Sequence, residues 1–180
     1  MLCIIAKCSP EADEKLNAFR AAVLPQYSFA SLLNAHITIA TYLPEDDRAF
    51  MAACGKLISG TRPFSVRYEK LEVFSETSVI VAVPSVPAEL TFLHNSIVKE
   101  FSSSLDRWTC GTAWYPHTTL LYNPAADLHQ LCRAMQKCFV PFDARIDQIW
   151  FSRVEDSGYT IVKSVDLSEQ AAERQVAYER

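Results

Sequence analysis

Pro63-Phe64-Ser65-Val66-Arg67 recurs as Pro141-Phe142-Asp143-Ala144-Arg145, and Val73-Phe74-Ser75 recurs as Trp150-Phe151-Ser152. The same order of elements surrounds each copy. Before the first, His36-Ile37-Thr38-Ile39-Ala40-Thr41-Tyr42-Leu43 is rich in β-branched and aromatic residues, which predicts a strand stopped by Pro44. Glu45-Asp46-Asp47 then opens a helix through about Ile58, with Phe50, Ala53, Cys54 and Leu57 on one side. Before the second copy, a strand at about 115–122 stops near Pro124 and a helix runs from about Ala125 to Phe139. Each copy leads into a hairpin. In the first, Phe64, Val66 and Tyr68 alternate with polar residues and pair with a run from Thr77 to Val83; in the second, Arg145 to Phe151 pairs with Tyr159 to Leu167.

An internal duplication of this kind predicts two alike lobes that bury their apolar faces against each other around an approximate twofold axis. The expected fold is α+β, a single bilobed unit over 1–167 with the repeat at about 28–84 and 109–167, since no Gly- or Pro-rich linker separates the halves. Outside the repeats, Leu2 to Ala6 has the length of a strand, and Ser9-Pro10-Glu11 starts a helix that carries Leu16, Phe19, Val23 and Leu24 and ends near Pro25. Leu90, Leu93, Ile97, Val98, Phe101 and Leu105 give the longest helical pattern, from Pro87 to about Leu105. The tail 168–180 is polar and Glu-rich, a short helix or a frayed end.

Composition narrows the function. A chain of 180 residues that is 49% hydrophobic and 21% charged is a soluble globular protein, neither disordered nor coiled coil. With only 4 Gly, and no GxGxxG or GxxxxGK[ST], nucleotide binding of the Rossmann or P-loop kind is disfavoured. No apolar run reaches the roughly 18 residues that span a bilayer, and Met1 leads into Leu-Cys-Ile-Ile-Ala without a basic flank, so a cytoplasmic location is expected. The net charge of −4 and the scattered Lys and Arg, read as solvated faces, argue against a long nucleic-acid track but leave room for a short nucleotide end in a pocket. Cys3, Cys8, Cys54, Cys110, Cys132 and Cys138 include no CxxC and are expected to be buried or partly exposed thiols.

Chemistry concentrates in the histidines. Three of the 4 match His-x-[Ser/Thr]-apolar: His36-Ile37-Thr38-Ile39, His94-Asn95-Ser96-Ile97 and His117-Thr118-Thr119-Leu120. On a strand, residues two apart share a face, so His36 with Thr38, and His117 with Thr119, each present an imidazole beside a hydroxyl. On a helix the same spacing turns about 200°, which sends His94 and Ser96 apart and marks His94 as structural. His129, between Leu128 and Leu131 on a helix, is read as surface or structural. Two strand matches at equivalent places of a duplication would bring two imidazoles and two hydroxyls into one cleft. That set suits phosphoryl chemistry: one neutral imidazole takes a proton, the other, protonated, gives one, and the hydroxyls hold nonbridging oxygens. No metal or cofactor is required, and neither strand offers a second metal ligand at same-face spacing.

The paired motifs, in a duplicated chain of this size and with Pro116 directly before His117, resemble the 2H phosphoesterase superfamily, and within it the bacterial branch called 2′-5′ RNA ligase-like or RNA 2′,3′-cyclic phosphodiesterase. The resemblance implies two antiparallel sheets flanked by helices, a metal-independent cleft between them, His36 and His117 as the catalytic pair, and Thr38 and Thr119 as phosphate-binding hydroxyls. It implies hydrolysis of a nucleoside or RNA-terminal 2′,3′-cyclic phosphate. Other activities of the superfamily, such as 2′-5′ ligation and its reversal, trimming, or opening of another cyclic phosphate, and a binding module with little turnover stand as alternatives. Many bacterial relatives carry an arginine where this chain has Tyr122, so a cation for a terminal phosphate is missing there. Tyr42, Trp114, Tyr115 and Tyr122 could stack a base or fill the core. Strand alternation places Tyr42 on the His36 face, which favours it, with Tyr115 and Tyr122 as further candidates. The expected partner is a small nucleotide or short RNA end bound by a monomer, with no membrane.

Overall fold

The two repeated stretches meet at the centre of the molecule. In the computed structural model, which describes residues 1–23, 35–43, 46–102, 105, 114–123, 125–155 and 158–169, Val66 lies directly opposite its repeat counterpart Ala144. Around that pair Phe64 faces Ile146 and Tyr68 faces Phe142, so a twofold axis passes between the two copies. The elements run β1 (Leu2–Cys8), α1 (Pro10–Val23), β2 (His36–Tyr42), α2 (Asp47–Ile58), β3 (Phe64–Phe74), β4 (Val79–Pro84), α3 (Ala88–Glu100), β5 (Thr118–Tyr122), α4 (Leu128–Gln136), β6 (Phe142–Glu155) and β7 (Gly158–Asp166).

Sheet order is β2-β1-β6-β3-β4-β5, with β7 on the remaining edge of β6 and every pairing antiparallel. This order reads the same from both ends when β2, β1 and β6 are exchanged for β5, β4 and β3. The α+β bilobed fold with a pseudo-twofold is therefore present, but its two lobes are hydrogen-bonded through β3 and β6 into one continuous sheet. Symmetry extends the repeat unit back to β1 and β4, each unit being β-α-β-α-β, and leaves β7 as an addition. That extension is invisible in the sequence because β1 and β4 share only apolar character.

β3 and β6 outrun the expected strands because β3 serves two partners in turn, β6 and β4, and β6 serves three, β3, β1 and β7. Residues 64–68 of β3 pair with β6 and residues 68–74 with β4. α3 ends at Glu100 rather than near Leu105, which instead bridges to Tyr42. α4 occupies 128–136, shorter than expected, and starts where Asp127 accepts from the Gln130 amide. Asp46 caps α2 through the Arg48 and Ala49 amides, worth about 1 kcal/mol at such a site. Pro25, Pro44, Pro124, Cys110 and the tail from 170 onward lie outside the described residues.

A single apolar core joins Ile4, Ala6, Ile37 and Phe151 of one lobe to Ile80, Leu120 and Ala82 of the other, with Leu16, Cys54, Leu93 and Met135 contributed by the four helices. Each large side chain so buried stabilises the fold by roughly 1.5–3 kcal/mol. Cys8 and Cys54 are buried thiols whose pKa values burial pushes up to about 11 and about 12, so both stay protonated. No helix among the described residues is long and apolar enough to cross a membrane.

Candidate active-site cleft

The two His-x-Thr strands sit at opposite ends of the sheet order, yet the sheet curls until these edges touch. Thr118 Oγ1, between His117 and Thr119, donates to the His36 carbonyl at 2.7 Å. That contact places the two motifs side by side. Since Thr118 points to the core side, His117 and Thr119 point to the opposite face, where they line a cleft of about 570 Å³, well within the size of small-ligand pockets. Thr38 lines the same cleft from β2. His36, two residues from Thr38 on the same face of β2, is half-buried beside it and is not itself a lining residue. Phe74, Ser75, Glu76, Thr77, Val79, Thr41, Trp114 and Tyr115 complete the wall.

Both strands carry a bulge at the same place, directly after the threonine. Across β1, Ile4 faces Ala40 and Ile5 faces Thr38, which leaves Ile39 extra; across β4, Ile80 faces Leu121 and Val81 faces Thr119, which leaves Leu120 extra. A bulge reverses the alternation that follows it. This overturns the expectation for Tyr42: it is fully buried, donates its hydroxyl to the Ile97 carbonyl at 3.2 Å, and packs against Phe50 and Phe101. Thr41 takes the cleft position in its stead. Tyr115 does line the cleft, 42% exposed, with its hydroxyl on Glu72 Oε2 at 3.0 Å and its ring against Phe74. Tyr122 is 62% exposed and lies outside the lining, although its partner across the ladder, Val79, belongs to it.

Outer-edge carbonyls of both strands are satisfied by side chains instead of a further strand. On β2 the donors are Thr118 Oγ1 to His36, Trp114 Nε1 to Thr38 at 3.0 Å, and His94 Nδ1 to Ile39 at 2.8 Å. His94 is buried as expected for a structural histidine, stacked flat on Trp114 at 3.8 Å, and burial lowers its pKa. On β5, Arg20 Nη2 donates to the Thr119 carbonyl at 2.6 Å while Nη1 donates to Asn17 Oδ1 at 2.7 Å. Arg20 is 2% exposed, so the reading of every cation as a solvated face fails at this position. No local signal marks it, because its partner is 99 positions away.

Beneath the cleft runs a buried chain with a fixed direction. The His36 carbonyl can only accept, so Thr118 donates to it; Tyr68 donates to Thr118 Oγ1, and the Cys8 thiol donates to the Tyr68 oxygen at 3.3 Å. Burial raises the Tyr68 pKa well above its usual value, which keeps the hydroxyl protonated and donating. Above, His117 Nδ1 lies 2.7 Å from the Tyr115 carbonyl. A carbonyl accepts only, so the neutral ring carries its proton on Nδ1 and presents the Nε2 lone pair. Phe74 stands edge-on to the ring at 4.9 Å, and burial lowers the His117 pKa. Among the described residues no three His, Cys, Asp or Glu converge as a metal-binding group.

This fold and cleft belong to a recognisable class. The chain matches the 2′-5′ RNA ligase superfamily over residues 8–158 and is a member of it, a 2H phosphoesterase as the paired motifs indicated. No curated protein sequence matches it. Among solved structures, a phosphoesterase aligns over 93% of this chain and 98% of its own with a TM-score of 0.68 at 17% identity. TT0787 of Thermus thermophilus aligns over 92% and 97% with a TM-score of 0.67 at 18% identity. E. coli LigT, solved in complex with 3′-AMP, aligns over 93% and 98% with a TM-score of 0.64 at 18% identity. At these identities the likeness is one of fold.

Proposed function

We propose that this protein is a metal-independent phosphodiesterase that opens a nucleoside or RNA-terminal 2′,3′-cyclic phosphate, with His36 and His117 as its acid–base pair. The observation that carries the reading is the Thr118 contact to the His36 carbonyl, which sets two His-x-Thr motifs against each other at one cleft. In this reading His117, neutral through burial and with Nδ1 engaged, takes a proton on Nε2 from the attacking water. The water oxygen bonds to phosphorus, the ring P–O bond breaks, and protonated His36 delivers its proton to the departing ribose oxygen. Thr38 and Thr119 hydroxyls hold the nonbridging oxygens as charge builds on them. E. coli LigT has been solved with 3′-AMP, ATP, NADP+ and phosphate, which supports a nucleotide-sized, phosphate-bearing ligand. Tyr115 is the aromatic best placed to meet a base.

Adenosine 2′,3′-cyclic phosphate assayed with EDTA present tests the proposal. Turnover is expected to persist, to fall roughly 100-fold or more in His36→Ala and in His117→Ala, and to show raised KM in Thr38→Ala and Thr119→Ala. Loss of turnover on adding EDTA, or a His117→Ala enzyme as fast as the wild type, would contradict it. Tight nucleotide binding with no turnover of any cyclic phosphate would favour a binding module instead.

A further inference from the structure

We infer that Lys7 and Trp150 form a second subsite beside His36 for the phosphodiester and base that precede the reacting end, so that the substrate is an oligonucleotide end of at least two nucleotides whose body crosses the first lobe. This rests on the phosphodiesterase reading above. Lys7 pairs directly with His36 across β1 and β2, as Ile5 does with Thr38. Residues directly opposite share a face with Cβ atoms about 4.5–5.5 Å apart, so Lys7 stands on the face that carries His36 and Thr38. Trp150 pairs with Ile5 on the other side and shares that face too.

The pair is built rather than incidental. The indole Nε1 donates to Gln148 Oε1 at 3.0 Å, and Gln148 Nε2 donates in turn to Asp166 Oδ1 at 2.8 Å, which fixes the plane of the partly buried ring. Lys7 Nζ lies over that ring, 5.1 Å from its centroid, and donates to the Cys8 carbonyl at 3.1 Å. Ion pairs among the described residues engage Arg67, Lys70, Arg145 and Arg153, and none engages Lys7. An ammonium with no carboxylate in ion-pair contact, beside a rigid aromatic plane, is the chemistry that a phosphodiester with a neighbouring base would meet.

Asymmetry between the lobes gives the direction. Val81 faces Thr119 as Ile5 faces Thr38, so the place in β4 that corresponds to Lys7 is Val83. On the far side Val81 faces Glu72 where Ile5 faces Trp150, so the structural counterpart of Trp150 is Glu72, one residue before the Val73 that the sequence repeat matches to it, and Glu76 also lines the cleft of that lobe. Among the described residues, the cation on that face of the second lobe, Lys70, is held by Glu72 at 2.6 Å, and Glu72 also accepts from the Tyr115 hydroxyl, whereas on the first lobe Lys7 has no ion pair, so a polyanion leaving the two histidines finds its uncommitted cation across the first.

The test compares adenosine 2′,3′-cyclic phosphate with a diadenosine ending in the same cyclic phosphate, for wild type, Lys7→Gln, Trp150→Leu and Trp150→Phe, at two salt concentrations. Lys7→Gln should raise KM for the dinucleotide about tenfold more than for the mononucleotide and reduce the salt slope of log kcat/KM by about 0.7. Trp150→Leu should show the same selectivity and Trp150→Phe should recover part of it; if the leucine variant does not fold, the other two carry the test. Equal KM changes on both substrates, or no change on the dinucleotide, would overturn the subsite. If the wild type opened neither substrate, the activity reading would fail on its own. The subsite would then be decided by calorimetry with diadenosine 3′-phosphate against adenosine 3′-phosphate, where a dinucleotide preference abolished by Lys7→Gln supports it and no preference refutes it.

Discussion

His117 donates its Nδ1 proton to a backbone carbonyl two residues back, and this local contact settles the tautomer while burial settles the charge. His94 has the same pattern with Ile39 and no place in the cleft. Both histidines are held below the ordinary imidazole value near 6.5, so the unfolded chain binds more protons than the fold as pH falls. Their contribution to stability is complete above about pH 6.5 and is lost as pH drops through the lowered folded values. Urea midpoints measured between pH 8 and pH 5 should therefore decline on the acid side, and a rise would contradict the assignment. If His117 is the base, the acid limb of the rate profile should lie below about pH 6.5 as well. What made these residues legible was strand periodicity together with their equivalent places in the duplication: an imidazole and a hydroxyl two apart on a strand share a face, and the helical copy at His94 does not.

At the scale of elements, the bulges at Ile39 and Leu120 explain the clearest departure from sequence reading. Alternation counted from His36 reaches Tyr42 on the cleft side, but one extra residue sends that ring into the core and brings Thr41 out. No residue type in Thr38-Ile39-Ala40 marks a bulge, because its cause is register against β1. The edge anchors were hidden for a related reason: Arg20, Trp114 and His94 each reach a carbonyl far along the chain. Replacing Arg20 with Met would leave the Thr119 carbonyl without that donor, a loss of about 1–3 kcal/mol at a buried acceptor. Urea denaturation should show that loss, together with a raised KM from a displaced Thr119, and Arg20→Lys should not restore both contacts. Unchanged stability and KM in Arg20→Met would show that the carbonyl finds another partner.

Across the whole molecule, duplication does two things at once. It builds a sheet with a twofold axis between Val66 and Ala144, and by curling that sheet it returns the two outermost strands to each other. The twofold was legible because Pro-Phe and His-x-Thr repeat in the same order; the fusion of the lobes into one sheet was not, since β3 and β6 look like ordinary hairpin strands until their first halves are seen to pair. Chemical differences between the lobes, Lys7 and Trp150 on one side against Val83 and Glu72 on the other, arise at positions that the motifs do not reach. The central claim is that His36 with Thr38 and His117 with Thr119 grip one phosphate. A crystal structure with adenosine 3′-phosphate measures this directly. The expected result is a phosphate in the cleft within hydrogen-bond reach of both imidazoles and both threonine hydroxyls. A phosphate held by His117 and Thr119 alone, or imidazoles more than about 12 Å apart, too far for one phosphate to bridge, would contradict it.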